Sequence, residues 1–388
     1  MTEVVIVEAV RTPIGRFRGA LSGVRADHLA AAAIRAALRR TGLPPQHVDE
    51  VILGCVTQIG EQSGGIARTA ILSGGLPETI PGLTIDRKCG SGEAAVHVGA
   101  GLIASGACDI VFAGGAENMT RVPMGSNRAL HGEVYGAKLM DRFETVAQGE
   151  AAERIADIWG FDRDALNDFA YESHRRAIAA DDAGHFAREI EPLTIADWQE
   201  PGPASDAVLS TDETIRRDTT RERLDTLKTP FRENGRLTAG NSSQISDGAA
   251  IVVLMSAEQA KALGLRPRAR VVMTATVGSD PTLMLTGPIA ATARALDRAG
   301  LKASDIDLFE VNEAFASVPM AWMRETEVGH DRLNVNGGAI ALGHPLGASG
   351  ARILTTLLHE LERRNLRYGL QSVCCATGMA TATIIERI

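Results

Sequence analysis

The sequence predicts an α/β protein built from two similar halves, with a different segment inserted between them. Strand-like and helix-like stretches alternate along the chain, which indicates helices layered on buried sheets. The stretch ALRRTGLPPQHVDEVILG at 37–54 returns as ALDRAGLKASDIDLFEVN at 295–312, and Gly42 aligns with Gly300 at an offset of 258 positions. A repeat of this length predicts duplicated α/β halves and excludes a solenoid of short repeats.

The first half can be interpreted element by element. It opens with the continuous apolar run VVIVEAV at 4–10, which is typical of a buried strand. The stretch 26–40 has apolar residues at four-residue spacing with arginines opposite, as in an amphipathic helix. EVILG at 50–54 and LTI at 83–85 indicate strands, and DIVFAGG at 109–115 indicates another after an intervening helix.

The second half repeats this order at the same offset. Ser91 falls on Ser349, so that CGSG in the first half aligns with GASG in the second. Each of these motifs is followed by a helix-like stretch and then by an apolar strand that ends in small residues, SVCCATG at 372–378 in the second half. The loops before Ser91 and Ser349 are therefore expected to occupy equivalent places in their halves.

We expect three regions along the chain. Residues 1–118 form an N-terminal α/β half to which 244–270 returns, and 271–388 form a C-terminal half. The segment 119–243 carries most clusters of Asp, Glu and Arg, two of the three tryptophans and irregular runs such as WQEPGPASD at 198–206. It also holds a helix-like stretch with a coherent apolar side, which needs a surface to pack against. The segment is therefore predicted to be an inserted domain that covers another part of the protein, and not a solvated linker.

Composition excludes several classes of protein. The 388 residues are 45% hydrophobic and 23% charged, as in ordinary globular proteins, and the net charge of −8 argues against a general nucleic-acid binder. No apolar run reaches the roughly 18 residues that cross a bilayer, and the acidic N-terminus does not resemble a signal peptide. These features predict a cytoplasmic protein without a membrane partner.

The five cysteines do not form a recognisable disulfide or zinc pattern. Their number is odd, no C-x2-C pair occurs, and no histidine lies near a cysteine pair at zinc spacing. We therefore expect no bound metal. Each cysteine is either a small buried apolar residue or a catalytic group.

Cys89 follows a predicted strand and precedes a predicted helix, within DRKCGSGEAA at 86–95. A helix N-terminus presents free N–H groups and partial positive charge, which can lower the pKa of a thiol. The glycines allow a sharp turn and close approach of a substrate. This arrangement is that of a nucleophile elbow with sulfur in place of oxygen.

A nucleophile needs a base and a group that stabilises negative charge, and the second half offers candidates for both. His344 lies in the glycine-rich loop that the repeat aligns with the turn of Cys89. Cys374 and Cys375 end a strand, where alternation of side chains lets only one of them face the site.

Together, four motifs resemble the thiolase family, which includes 3-ketoacyl-CoA thiolases and acetyl-CoA acetyltransferases. They are DRKCGSGEAA, NEAFA at 312–316, GGAIALGHPLGASGAR at 337–352 and CCATGMA at 374–380, and the resemblance covers nearly the whole chain. It implies layered α-β-α-β-α halves with an inserted loop domain over the CoA site.

The resemblance also implies roles for particular residues. Cys89 would take an acyl group from acyl-CoA after His344 accepts its proton, and Cys374 would be the acid/base at the α-carbon of acetyl-CoA. Asn312 would hold a water that forms one oxyanion hole with His344. The N–H groups of Cys89 and Ala376 would form the other.

For CoA, the resemblance points to Ser243 near the pantetheine, to Arg216 and Phe231 along the groove, and to Met284 at the acyl end. Coenzyme A would be a substrate and product, with no tightly bound cofactor. Acyl-CoA, acetyl-CoA and CoA would be the small-molecule partners, and the chain would form a homodimer or homotetramer.

The sequence departs from the family in two places. Ala376, Thr377 and Ala380 replace glycines, which would strain the second oxyanion hole if Ala376 needed a positive φ. Ala147-Gln148 stands where acetoacetyl-CoA-specific relatives carry His-Met, after a segment that looks shorter. A longer or bulkier 3-ketoacyl group is therefore our hypothesis.

Two other functions stay open at this stage. A ketoacyl-carrier-protein synthase shares the duplicated fold and a cysteine nucleophile but pairs it with two His, or with His and Asn. An acyl-CoA-binding protein of the same fold without turnover would explain the replaced glycines near Cys374.

Overall fold

The computed structural model describes residues 2–128, 130–200 and 206–388. Twelve strands occur in these ranges: β1 (Val4–Arg11), β2 (Gly15–Arg16), β3 (Glu50–Gly54), β4 (Gly82–Ile85), β5 (Ile110–Asn118), β6 (Leu193–Thr194), β7 (Val208–Leu209), β8 (Ser246–Ser256), β9 (Ala269–Gly278), β10 (Leu308–Val311), β11 (Tyr368–Cys375) and β12 (Met379–Arg387).

The same ranges contain twelve α-helices: α1 (Ala26–Thr41), α2 (Ile66–Ser73), α3 (Ser91–Ala104), α4 (Ala137–Met140), α5 (Gln148–Trp159), α6 (Arg163–Asp182), α7 (Arg221–Asp225), α8 (Ala257–Ala262), α9 (Gly287–Ala299), α10 (Ser317–Thr326), α11 (Ala339–Leu342) and α12 (Ser349–Arg364). None of the helices in the described part of the chain is long and apolar enough to cross a membrane.

The sheet repeats one pattern on its two sides. Its order is β10-β11-β12-β9-β1-β8-β5-β3-β4, with β2 paired to β8, and β6 and β7 form a separate ribbon. On one side β3 runs parallel to β5 and β5 antiparallel to β8, and on the other β10 runs parallel to β11 and β11 antiparallel to β12. The two sides join where Val5 and Ile6 of β1 pair with β9. The predicted duplication is confirmed.

The repeat extends to single side chains. Gly42 and Gly300 end α1 and α9 in the left-handed conformation, at φ values of 68° and 67°. The Asp49 carboxylate accepts hydrogen bonds from the two backbone N–H groups that lead into β5, at 2.7 and 2.8 Å. Asp307 accepts the two N–H groups that lead into β11, at 2.9 and 2.8 Å. Equivalent sequence positions therefore make equivalent hydrogen bonds in both halves.

The layers follow from which faces are apolar. Helices α1 and α2 pack on one face of β1, β3, β5 and β8, and α9 and α10 pack on one face of β9 to β12. The opposite faces of both sets of strands pack on α3 and α12, which lie together in the middle. This is the α-β-α-β-α layering that the family resemblance implied.

The local predictions agree with these elements. The predicted helix at 26–40 is α1, and the helix-like stretch of the inserted segment is α6. Cys89 lies between β4 and α3, as expected for a strand-to-helix turn. The irregular run at 198–206 lies mostly outside the described residues. The division into domains at 118, 243 and 270 stays a prediction.

Candidate active site

Cys89 lies in a tight turn that Ser91 holds in place. The Ser91 hydroxyl accepts the N–H of Arg87 at 2.8 Å and donates to the carbonyl of Lys88 at 2.6 Å. Lys88 takes a left-handed φ of 52°, and Gly90 caps the N-terminus of α3. The turn therefore places Cys89 directly before the N-terminus of α3.

The Cys89 thiol is less acidic than the sequence suggested. Only 5% of the residue is exposed, and burial raises the pKa of the thiol to about 12. Hydrogen bonds from the N–H groups of Cys89 and Ala376 lower the pKa, but they do not outweigh the burial. The expectation of a lowered pKa is thus wrong for the free protein, and a base is needed to remove the proton.

His344 is buried and held in one tautomer. Its backbone N–H donates to the Ser246 hydroxyl at 2.7 Å and to the Gln244 carbonyl at 3.0 Å. Its Nδ1 lies 2.6 Å from the Ser349 hydroxyl, which donates to the Pro345 carbonyl at 2.9 Å. Because the Ser349 proton is used on Pro345, the serine oxygen must accept a proton from Nδ1. Nε2 is then the acceptor nitrogen.

The charge state of His344 suits a proton acceptor. Burial, and secondly the nearby Arg352, lower the pKa of His344 to about 3. Its Nε2 has no hydrogen-bond partner among the described residues. The imidazole is therefore neutral at pH 7, with a free lone pair inside the protein.

Backbone contacts between glycines bring the His344 loop against the Cys89 turn. The Gly347 carbonyl packs so closely on Gly54, Gly92 and Gly115 that a Cβ on Gly115 would lie 1.9 Å from its oxygen. Leu346, from the same loop, packs in one apolar cluster with Cys89. The two loops that the repeat aligns therefore meet.

Glu117 ties the His344 loop to the loop after β3, and no motif in the sequence pointed to it. Its buried carboxylate accepts the N–H groups of Val56, Thr57 and Gly347, each at 2.9 Å, and the Gln62 amide at 3.0 Å. Burial raises the pKa of Glu117, and these four hydrogen bonds oppose that effect. Ser349 was missed as well, although the repeat aligns it with Ser91.

Cys374 and Cys375 face different neighbours. Burial raises the pKa of Cys374, Cys89 raises it further, and the side chain of Asn312 lowers it. Cys375 lies against Gly90 instead, where a Cβ would come 2.6 Å from its sulfur. The structure therefore places Cys374 beside Asn312, and Cys375 behind the Cys89 turn.

Asn312 follows β10 and is almost fully buried. Neither atom of its amide makes a hydrogen bond of good geometry with a described residue. The next residue, Glu313, anchors the segment by accepting from Ser173 at 2.7 Å, Asn334 at 2.9 Å and the N–H of Ile340 at 3.2 Å. Asn312 thus presents its amide, which faces Cys374, from a rigid segment.

The replaced glycines are accommodated differently from what the sequence suggested. Ala376 does not take a positive φ, so its N–H direction costs no backbone strain. The left-handed position is Thr377, with φ of 66°, followed by Gly378 at 76°. Strain in this loop therefore lies one residue after Ala376.

The four residues predicted to contact CoA differ in how deeply they are buried. Met284 is buried in the apolar cluster that contains Cys374, Ala376 and Phe315. Phe231 is 36% exposed and packs edge-on against Phe315, with ring centroids 5.4 Å apart.

Ser243 and Arg216 lie nearer the surface, on either side of Gln244. The N–H of half-buried Ser243 donates to the Ala314 carbonyl at 3.0 Å. Exposed Arg216 donates to Gln244 at 3.1 Å. Among the described residues, no group of three or more His, Cys, Asp or Glu side chains is arranged to hold a metal ion.

Comparison with known proteins agrees with this geometry. Residues 4–258 match the family model of the thiolase N-terminal domain, and residues 265–387 match that of the thiolase C-terminal domain. The crystal structure of the Bacillus anthracis acetyl-CoA acetyltransferase superposes with a TM-score of 0.92 at 38% identity, covering 100% of this chain and 99% of that one.

Curated relatives are similar over the full length. The chain is 46% identical to the steroid 3-ketoacyl-CoA thiolase FadA6 of Mycobacterium tuberculosis, covering 100% of this chain and 95% of that protein. It is 45% identical to an acetyl-CoA acetyltransferase of Pseudomonas aeruginosa and 43% identical to a β-ketoadipyl-CoA thiolase of Escherichia coli, each over 100% of both chains.

The fold and the relatives define a CoA-dependent acyltransferase. The chain belongs to the thiolase family. Its reaction is the reversible thiolytic cleavage of a 3-ketoacyl-CoA, or condensation in the other direction, with coenzyme A as a substrate or product.

Proposed function

We propose that Cys89 carries the acyl group in this reaction and that His344 and Cys374 move the protons. The observation that supports this most directly is the buried pair of a protonated thiol and a neutral imidazole with a free Nε2, on loops that pack together. A covalent intermediate replaces one difficult step by two easier ones.

In the first step, the Cys89 sulfur attacks the thioester carbonyl of the acyl-CoA. The thiol proton passes to Nε2 of His344, the carbon–sulfur bond to CoA breaks, and the departing CoA thiolate takes up the proton. Since the pKa of Cys89 is about 12 and that of His344 about 3, proton transfer must accompany attack on the bound substrate. The products are free CoA and an acyl-Cys89 thioester.

In the second step, Cys374 acts at the α-carbon of acetyl-CoA. The Cys374 thiol gives its proton to Nε2 of His344, and the resulting thiolate removes an α-proton from acetyl-CoA. The carbanion attacks the acyl-Cys89 carbonyl, the Cys89–acyl bond breaks to release 3-ketoacyl-CoA, and the Cys89 thiolate takes the proton held by His344. Thiolysis follows the same steps in reverse. The contact of Cys374 with Asn312, which Cys375 lacks, supports this choice between the two thiols.

Each step needs donors for an oxygen that gains negative charge. The N–H groups of Cys89 and Ala376 both point towards the Cys89 sulfur, which is where the thioester carbonyl would arrive. Asn312 and Nε2 of His344 are buried and unpaired within the described ranges, so they can hold a water for the enolate oxygen. Because Ala376 avoids a positive φ, replacement of the family glycine leaves its N–H available.

We propose a 3-ketoacyl substrate longer or bulkier than acetoacetyl-CoA. The support is Ala147-Gln148 at the start of α5, where the family resemblance implies a His-Met pair in relatives specific for acetoacetyl-CoA. Ser243, Arg216 and Phe231 would contact CoA, and Met284 would face the acyl chain. Two of the curated relatives are named for steroid and β-ketoadipyl substrates, which agrees with a larger acyl group.

The experiment is acylation of the purified protein followed by mass spectrometry of its peptides. Acetyl-CoA should add one acetyl group to the Cys89 peptide, and Cys89→Ala should abolish the adduct. Absence of any adduct from acetyl-CoA and from longer acyl-CoA esters would contradict the proposal. It would favour the second candidate function, an acyl-CoA-binding protein without turnover.

A panel of 3-ketoacyl-CoA esters then tests chain length. Thiolysis should have a higher kcat/KM for six-carbon or longer substrates than for acetoacetyl-CoA, and a strong preference for acetoacetyl-CoA would contradict this. Cys375→Ala serves as the matched control for Cys374→Ala. The former should retain condensation, whereas the latter should lose it by at least about a hundredfold.

A carrier-protein synthase agrees less well with the site, because a thiol stands where that class carries a second His or an Asn. The absence of a tightly bound cofactor, the homodimer or homotetramer and the cytoplasmic location stay predictions. Light scattering of the purified protein tests the oligomer, and spectroscopy and mass analysis of the native protein test for a retained cofactor.

A further inference from the structure

A buried polar network lies behind the Cys89 turn, and the proposed chemistry does not use it. Glu93, in the first turn of α3, is fully buried. Its two carboxylate oxygens accept the hydroxyls of Thr381 at 2.5 Å and of Thr383 at 2.6 Å, both on β12. A buried carboxylate with this geometry joins a helix to a strand far away in the sequence.

The network has one consistent direction of donation. Thr383 uses its proton on Glu93, so its oxygen must accept from Nε2 of His97, at 2.9 Å. Arg87 donates to the Thr276 hydroxyl at 3.0 Å, and that hydroxyl faces Nδ1 of His97 at 3.5 Å. The chain of donors thus runs from Arg87, beside Cys89, to Glu93.

The charged and titratable groups that face Glu93 come from three elements. His97, one turn along α3, has its Nε2 3.7 Å from the carboxylate. The Cys375 thiol, at the end of β11, is close enough for Glu93 to raise its pKa, although burial is the main cause. Arg87 reaches it only through Thr276 of β9 and His97.

The hydrogen bonds of Glu93 with Thr381 and Thr383 connect the two segments that carry the backbone donors proposed for acyl transfer. The N–H of Cys89 belongs to the turn before α3, whereas the N–H of Ala376 belongs to the loop between β11 and β12. Thr381 lies against Gly90, where a Cβ would come 3.0 Å from its hydroxyl, and Cys375 lies against the same glycine. Glu93 holds Thr381 in that place.

We propose that Glu93 is a positioning residue: its carboxylate ties α3 to β12 and thereby sets the spacing between the N–H groups of Cys89 and Ala376. The inference rests on the proposed function, in which these two groups bind the thioester oxygen. Hydrogen bonds are directional, so they set this spacing more narrowly than apolar packing of the same volume. Glu93 touches neither substrate nor Cys89 in this role.

The test removes the carboxylate together with both hydroxyls that donate to it, so that Nε2 of His97 alone loses a hydrogen-bond partner. The variant Glu93→Leu/Thr381→Val/Thr383→Val replaces the carboxylate and both hydroxyls by apolar groups of similar size. We expect it to melt within a few degrees of the wild type and to bind acetyl-CoA with a half-saturation concentration within twofold. The rate at which acetyl-CoA acetylates Cys89 should fall at least tenfold. Acetylation at the wild-type rate would overturn the proposal.

Single substitutions keep the test decisive if the triple variant does not fold. Thr381→Val removes the tie next to Gly90 and should slow acetylation at least threefold. In Glu93→Gln the amide oxygen accepts from Thr383 and the amide nitrogen donates to the Thr381 oxygen, so this variant should stay within threefold of the wild type. The matched control is Thr355→Val, since Thr355 is buried in α12 and donates only to the Ala351 carbonyl. A wild-type rate in Thr381→Val would overturn the proposal. No acetylation of wild-type Cys89 would instead contradict the proposed function itself.

Discussion

At the residue scale, His344 shows how two neighbours make a histidine into a proton acceptor. Burial keeps the ring neutral, and Ser349 takes the proton of Nδ1 because its own proton is used on Pro345. Nε2 is therefore unprotonated, although no carboxylate among the described residues bonds to the ring. Hydrogen bonds to the second nitrogen commonly set the tautomer of a histidine in this way.

The variant Ser349→Ala tests this arrangement. Removal of the hydroxyl leaves Nδ1–H without its buried acceptor, at a cost of about 1–3 kcal/mol, and allows the wrong tautomer. Acetylation of Cys89 should slow roughly 10-fold to 100-fold, as rapid-quench mass spectrometry would show. Ser73→Ala is the matched control, because Ser73 also donates to a helix carbonyl, that of Thr69, from α2. Equal rates for the two variants would contradict the role of Ser349.

At the element scale, the loop between β11 and β12 can present the proposed N–H donor of Ala376 although alanine and threonine replace glycines there. Cys374 ends the strand beside Asn312, and Ala376 directs its N–H to the Cys89 sulfur without a positive φ. The cost falls on Thr377, a β-branched residue in the left-handed region. Gly378 then packs its backbone against the carbonyl of Ser279.

The variant Thr377→Gly should remove this strain. A left-handed conformation costs a non-glycine residue about 1–2 kcal/mol, and the greater freedom of glycine when unfolded offsets about half of that. We expect the free energy of unfolding to be unchanged or to rise by up to about 1 kcal/mol, as measured by urea denaturation. Thr226→Gly is the control, since Thr226 has φ of −82°, and it should be destabilised. A loss larger than the control's would contradict strain at Thr377.

At the scale of the whole molecule, the site depends on two halves packed backbone to backbone and on deep burial of ionisable groups. Burial lowers the pKa of His344 to about 3 and that of His174, in α6, to about 4, with Arg216 a secondary cause for the latter. The unfolded chain takes up these protons near pH 6.5. The folded state therefore loses stability as the pH falls from about 6.5 towards 4.

The variant His174→Gln should reduce this acid sensitivity. One such histidine contributes up to about 1.4 kcal/mol per pH unit below pH 6.5. The variant should thus lose less stability than the wild type between pH 7 and pH 5, as measured by urea denaturation at each pH. Exposed His47→Gln is the control and should follow the wild type. An identical pH dependence for all three proteins would show that His174 is not the titrating group.

The sequence by itself determined the elements and their repetition. Apolar periodicity located α1 and the strand before Cys89, and the offset of 258 paired the Cys89 turn with the His344 loop. Four motifs identified the family. These features are local or repeated, so that they can be recognised in a one-dimensional pattern.

The tertiary structure alone decided which groups meet and how they are charged. It showed that burial raises the pKa of Cys89, that Asn312 lies beside Cys374, and that Glu117 ties the His344 loop to the loop after β3. Glu93 and β12, almost 300 residues apart, meet only because α3 lies in the middle layer. Burial and contacts between distant segments arise only when the chain packs, so they cannot be recognised in a local pattern of residues.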